Sequence, residues 1–313
     1  MKRAAILAMT TIMAAATGTA VFADYPERPV TFIVPWPPGD LEDQLTRMIA
    51  SQFQETFSSP AAVVNKPGGG GGPFPGAIYV AEQPADGYTI GSFVMGVVIT
   101  GPKIGIEELS PNPFVPVGSF LTYPFVVATS KDAPYRDLKE LAEYSQSHDV
   151  VLAHFGAGLI PTQMTFAMAN REGITFASDS AFDAIDCNTL ASGDADVINS
   201  TMQLLLPCID DLNVLVSFTP ERIPLTPDAP TLKEIYPDLS VELWNGLFVR
   251  EGTDPEIIKT IADVARETVL GEEAQALAQR TGAFVYWQDA AQTAERIETD
   301  AQILEHVDEA AAQ

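Results

Sequence analysis

The sequence predicts an α/β protein of two domains, each a mostly parallel sheet flanked by helices, with a cleft between them. Three observations carry this. Short apolar runs rich in Val, Ile and Phe alternate with stretches of helical period along most of the chain, the pattern of sheets covered on both faces. The length, 313 residues, exceeds what one hydrophobic core organises. Two strand–turn–helix corners, at residues 30–47 and 150–170, carry Gly or Pro in the turn. Such a corner points the unpaired N–H groups and positive end of a helix out of the sheet, where a polar or anionic group can be held.

The chain opens like an export signal. Met1-Lys2-Arg3 is a short basic region, residues 4–16 are apolar, and Val21-Phe22-Ala23 fits a small-x-small cleavage site before Asp24. The mature chain is therefore expected in the periplasm, cleaved after Ala23. The apolar run is too short for a membrane span, and no later stretch approaches about 18 unbroken apolar residues. Losing residues 1–23 removes Lys2 and Arg3 and no acid, so the net charge goes from −25 to −27. That balance favours solubility and disfavours nucleic acid or an anionic membrane surface. Cys187 and Cys208 suit an oxidising compartment, and both a disulfide and two separate buried thiols fit their positions. No zinc spacing occurs, and His148, His154 and His306 are scattered, so neither metal nor cofactor is expected.

Val30–Val34 reads as a buried strand, and Pro35, Pro37, Pro38 and Gly39 as a turn. Leu41, Leu45, Met48, Ile49 and Phe53 then share one face of a helix. Residues 61–64 form a short strand before a run of five glycines, Gly68 to Gly72. No Gly-Lys-Ser/Thr follows, and Pro73 and Pro75 interrupt any helix, which argues against a phosphate-binding loop. Asp86-Gly87 turns into a strand at Tyr88-Thr89-Ile90. Residues 101–116 are proline-rich and irregular. A strand at 124–129 and a helix at 137–147 follow, and the first crossing between domains falls near residues 121–125. The alternation continues through 150–153, 163–170, 182–191, 197–199, 202–210 and 214–218. The second corner, residues 154–162, holds Gly156 and Gly158, which let a backbone come close to a ligand. Asp254 as N-cap and Pro255 at the first position open a long helix. Phe284-Val285-Tyr286 is a last strand, and 290–312 a closing acidic helix.

The first corner, P-W-P-P-G-D-L-E-D-Q-L-T-R, resembles the P-F-P-P/A-G-G-x-x-D-x-x-A-R turn of the periplasmic solute receptors of tripartite tricarboxylate transporters, the Bug family. Pro37, Pro38, Gly39, Asp43 and Arg47 match, and Asp40 replaces a glycine. Later stretches agree in order: Asn65-Lys66-Pro67-Gly68, Asp86-Gly87-Tyr88-Thr89, Gly193 with Asp196, Pro227-Asp228-Ala229-Pro230-Thr231-Leu232 and Trp244-Asn245-Gly246-Leu247. The second corner departs, with Leu159 where Ser is usual and Thr162 where His is usual.

The resemblance implies a two-domain periplasmic-binding-protein fold of type II-like form, with residues 24–122 plus 240–313 as domain 1 and 123–239 as domain 2. It implies a non-enzymatic receptor, a monomer by default, that closes on a small carboxylate-type molecule and delivers it to the membrane subunits of a transporter. By the same resemblance the ligand residues are Trp36, Pro38, Gly39 and Asp43, with Gly156, Ala157, Gly158 and Thr162 opposite; Asp40, standing where the family has glycine, is a further candidate, and Ser180, Asp183 and Asn199 are assigned to the far end of the ligand. Asp40 is expected to cap the N–H of Glu42 or Asp43, donors a ligand carboxylate would want. The site would then favour a neutral, aromatic or amine-bearing solute, and Asp40→Gly would strengthen dicarboxylate binding. Two alternatives remain: a receptor feeding a sensor kinase, and a secreted hydrolase using Ser178 or Ser180 beside Asp179 and Asp183. The hydrolase lacks a G-x-S-x-G elbow and a placed histidine.

Overall fold

The computed structural model describes residues 25–68, 72–182 and 184–311, so the expected leader lies outside the described residues. The first part of the chain runs β1 (Val30–Val34), α1 (Leu41–Phe57), β2 (Ala61–Asn65), α2 (Phe74–Ala81), β3 (Thr89–Val94), α3 (Met95–Ile99) and β4 (Phe114–Thr122). The middle runs β5 (Phe125–Ser130), α4 (Leu138–Ser145), β6 (Val151–His154), α5 (Ile160–Glu172), β7 (Ser178–Ala181), α6 (Cys187–Ala191), β8 (Val197–Thr201), α7 (Met202–Leu205), β9 (Leu212–Ser217) and α8 (Leu232–Ile235). The last part runs β10 (Trp244–Arg250), α9 (Pro255–Val269), α10 (Glu272–Thr281), β11 (Phe284–Asp289) and α11 (Ala290–Ala311).

The strands make two sheets, one in the order β11-β4-β10-β3-β1-β2 and the other β7-β6-β8-β5-β9. The α/β class is as expected. Each sheet is mixed, however, rather than mostly parallel. β1 is parallel to β2 and β3, and β6 to β7 and β8. β10 is antiparallel to β3 and β4, and β5 to β8 and β9. The cause is the pair of crossings. β4 carries the chain out of the first sheet and β10 returns beside it, Trp244 opposite Thr122. A strand that returns alongside its exit runs the opposite way.

Local chemistry explains most elements. β1 is β-branched and aromatic, and Val30, Phe32, Ile33 and Val34 are wholly buried. α1 turns Leu41, Leu45, Ile49 and Phe53 inward, each burial stabilising by roughly 1.5–3 kcal/mol. α5 starts at Ile160, before the expected 163, because Pro161 sits in its first turn, where a missing N–H costs little. β7 is a polar edge strand, exposed along its length, and carries no hydrophobic pattern that a sequence reading finds. The stretch 182–191 is helical only from Cys187, where Asp186 forms a capping box with Thr189.

One apolar cluster runs from Phe32, Phe93, Trp244 and Phe248 to Met164 and Met168 of α5 and Leu304 and Val307 of α11. α11 packs on both β4 and α5, so it ties the two halves. A second cluster, with Val126, Ile198 and Met202, covers the other face of the second sheet. Cys187 and Cys208 form a disulfide that staples α6 to the turn after α7.

Candidate functional site: a cavity between the two sheets

The corner after β1 is pinned from inside. Gly39 has φ +101°, a region that glycine alone enters without strain. Its N–H donates to Asp43 Oδ2 at 2.8 Å. Asp43 also accepts from Arg47 Nε and Nη2, both at 2.9 Å, and from Asn65 Nδ2 at 2.8 Å. Asn65 Nδ2 in turn donates to the Trp36 carbonyl at 2.9 Å. Burial works against the Asp43 charge, but the bonds from Arg47, Asn65 and Gly39 outweigh it and hold the carboxyl below its ordinary value. Asp40 occupies the N-cap of α1 by backbone, yet its carboxylate makes no capping bond, contrary to expectation. The Glu42 N–H bonds Glu42's own carboxyl instead, and Asp40 lines the cavity.

That cavity has a volume of about 70 Å³, room for about five water molecules. Trp36, Asp40, Glu42 and Met95 line it from the first sheet, Phe125, Phe155, Leu159, Thr201 and Gln203 from the second, and Tyr123 and Leu243 from the two crossings. Aromatic rings follow one another around it. Trp36 and Phe155 have centroids 6.2 Å apart, Phe155 and Phe125 6.0 Å, and Phe125 and Tyr123 5.8 Å. Gln203 Nε2 of α7 reaches across to donate to the Gly39 carbonyl at 2.8 Å.

Glu42 is 2% exposed. It meets Tyr123, whose hydroxyl donates to Asn245 Oδ1 at 3.1 Å; Asn245 Nδ2 donates to Ser92 Oγ at 2.8 Å, and Thr46 Oγ1 to the same oxygen at 2.9 Å. Burial, then the neighbouring Asp40, pushes the Glu42 carboxyl well above its usual range. Burial and then Asp43 push Asp40 up to about 6. Tyr123 is raised as well, by burial first and then by Glu42.

The expected ligand residues do not all gather here. Trp36 and Asp40 line the cavity. Pro38 and Gly39 form the exposed tip of the corner, and Asp43 lies beneath it, turned to Arg47. In the second corner Gly156 is buried while Ala157 and Gly158 are exposed. Gly156 N–H donates to His154 Nδ1 at 3.0 Å, and His154 Nε2 lies 2.7 Å from Asp179, so both ring nitrogens hold this corner in place. Thr162 and Asn199 are wholly buried where α5 packs on β8, and Thr162 Oγ1 and both polar atoms of Asn199 lack a protein partner. Ser180 lies on the exposed edge strand β7, and Asp183 is outside the described residues. Sequence reasoning missed Glu42, Tyr123, Phe125, Phe155, Thr201 and Gln203. All but Gln203 read as core or strand-end positions; the one available signal was Glu42, an acid directly after the inward Leu41.

Comparison with known proteins places this geometry. Protein BugT of Bordetella pertussis is 28% identical over 271 residues, covering 81% of each chain. The structure of MatC from Rhodopseudomonas palustris with bound malate superposes with a TM-score of 0.74 at 23% identity, covering 92% of this chain and 100% of that one. R. palustris Rpa4515 with adipate superposes with a TM-score of 0.80 at 21% identity, covering 92% of this chain and 99% of that one. These likenesses place the fold among two-domain periplasmic binding proteins. Residues 45–307 match the family described as the tripartite tricarboxylate transporter family receptor, and the chain belongs to that family.

Proposed function

We propose that the chain is a monomeric, non-enzymatic receptor outside the cytoplasm, which closes on one small organic solute and delivers it to the membrane subunits of a tripartite transporter. Residues 24–122 with 240–313 form one lobe, residues 123–239 the other, and the crossings near β4–β5 and before β10 serve as hinge. The solute sits between Trp36 and Asp40 on one side and Phe155 with the α5 corner on the other. Pro38, Gly39, Ala157 and Gly158 shape the exposed rim, with Gly156 beneath it; Thr162, Asn199 and Ser180 stand as ligand residues on the far side, and Asp183 with them by family resemblance alone.

The observation that carries this reading is the aromatic cavity between the sheets, bridged by the Gln203–Gly39 bond. Malate and adipate, named with two relatives, make a carboxylate the family expectation for the solute. A receptor also fits the engagement of His154, whose two ring nitrogens are occupied and leave no free base for Ser180.

The test is a thermal-shift screen of the mature chain against carboxylates, aromatic acids and amines. A ligand at a hundred times its Kd should stabilise the chain by about 2.7 kcal/mol. Trp36→Ala and Phe155→Ala should each abolish that shift. A screen without a single hit, or a hit indifferent to both substitutions, refutes the reading.

A further inference from the structure

Building on the receptor reading, we propose that the cavity takes a solute with a cationic amine or ammonium head on an apolar body, not a dicarboxylate. Two acids, Asp40 and Glu42, line it, and among the described lining residues none is Lys, Arg or His. The nearest cation of the corner, Arg47, is committed to Asp43 and Asn65. Glu42 is 2% exposed and meets Tyr123 but no cation. A carboxylate brought here would lose its hydration beside two acids with no counter-charge.

Two donors of the corner are already committed. Gly39 N–H is taken by Asp43, and the carboxylate of Glu42 is bonded by its own N–H. An ammonium head, in contrast, gives both acids the counter-charge they lack. The rings of Trp36, Phe155, Phe125 and Tyr123, stepped edge to face at 6.2, 6.0 and 5.8 Å, line the cavity with aromatic surface, the lining that suits a desolvated cation on an apolar body.

A proton signature follows. The groups facing Glu42 are Asp40, Asp43 and Tyr123, and those facing Asp40 are Glu42 and Asp43, with Asp43 paired to Arg47. Burial raises both carboxyls, Asp40 to about 6, whereas a cation beside them favours their ionised forms, so its binding lowers both and releases protons. A carboxylate ligand would draw protons in.

Titration calorimetry at pH 7.0 in two buffers of different ionisation enthalpy tests this, using skeleton-matched probes: 2-phenylethylamine against 3-phenylpropionate, and 1,6-diaminohexane against adipate. The amines should bind at least ten-fold more tightly than the matching acids, with net proton release. Asp40→Asn at the cavity edge and Glu42→Gln should each weaken amine binding by ten-fold or more. Acids binding more tightly than amines, proton uptake with the amines, or amine affinity unchanged in both variants overturns the assignment while the receptor reading stands. Failure of all four probes also overturns it, and the wider solute screen then decides the receptor reading separately.

Discussion

Replacing Asp43 by Ala tests whether the first corner is held from inside. The substitution removes the acceptor of four hydrogen bonds: one from Gly39 N–H, two from Arg47 and one from Asn65. Leaving Gly39 N–H and Asn65 Nδ2 without this acceptor costs about 1 kcal/mol each. Arg47 has a side chain 47% exposed, so water replaces much of its share, and the ion pair adds less than about 1 kcal/mol. The sum is about 2–3 kcal/mol, a fall in Tm of about 3–5 °C for a chain of this size. Arg47→Met, which keeps the Gly39 and Asn65 bonds to Asp43 and loses only the exposed bonds of Arg47 itself, should cost about 1 kcal/mol or less. Because Asn65 also holds the Trp36 carbonyl, Asp43→Ala should weaken solute binding as well. Thermal unfolding followed by circular dichroism at pH 7 reads the first effect and calorimetry the second. A Tm within 1 °C of the parent, or an Arg47→Met loss equal to that of Asp43→Ala, would refute this account of the corner.

Three further outcomes are expected. Reducing the Cys187–Cys208 bond, which spans 21 residues, should cost about 3 kcal/mol by loop-closure entropy; an unchanged denaturant midpoint in Cys187→Ser/Cys208→Ser would count against it. Asp40 has its carboxyl raised from 3.8 to about 6, so its contribution to stability is present at low pH and lost as pH rises through about 6. Asp43 has its carboxyl lowered, so its contribution is present above 3.8 and lost below. Glu42, raised as well, acts in the same direction as Asp40, so stability should be greater near pH 5 than at pH 7, and Asp40→Asn should reduce that slope; a Tm that climbs from pH 5 to 7 sinks this assignment. Gln203→Ala removes the bond to the Gly39 carbonyl, so solute affinity should fall about 3- to 10-fold and the radius of gyration of the unliganded chain in solution scattering should rise. No change in either would mean that this bond does not hold the cavity shut.

The sequence by itself determined the elements whose signals are local. The inward face of α1 follows from the spacing of Leu41, Leu45, Ile49 and Phe53. The start of α9 follows from Asp254, whose side chain caps Glu256 N–H, and from Pro255 in its first turn. The run of matched motifs carried the family. Tertiary structure decided the rest. The mixed sheets depend on where β10 returns, and β7 is a strand only because β6 offers it an edge. The Asp40 carboxylate is left without a capping bond, and the Glu42 N–H it was expected to cap goes to Glu42's own carboxyl instead. The cavity walls were hidden for a simpler reason. Phe125, Phe155 and Tyr123 look like core residues, since a side chain buried against a neighbour and one buried against a solute gap have the same chemistry. Only the two crossings bring them to one space and leave that space unfilled.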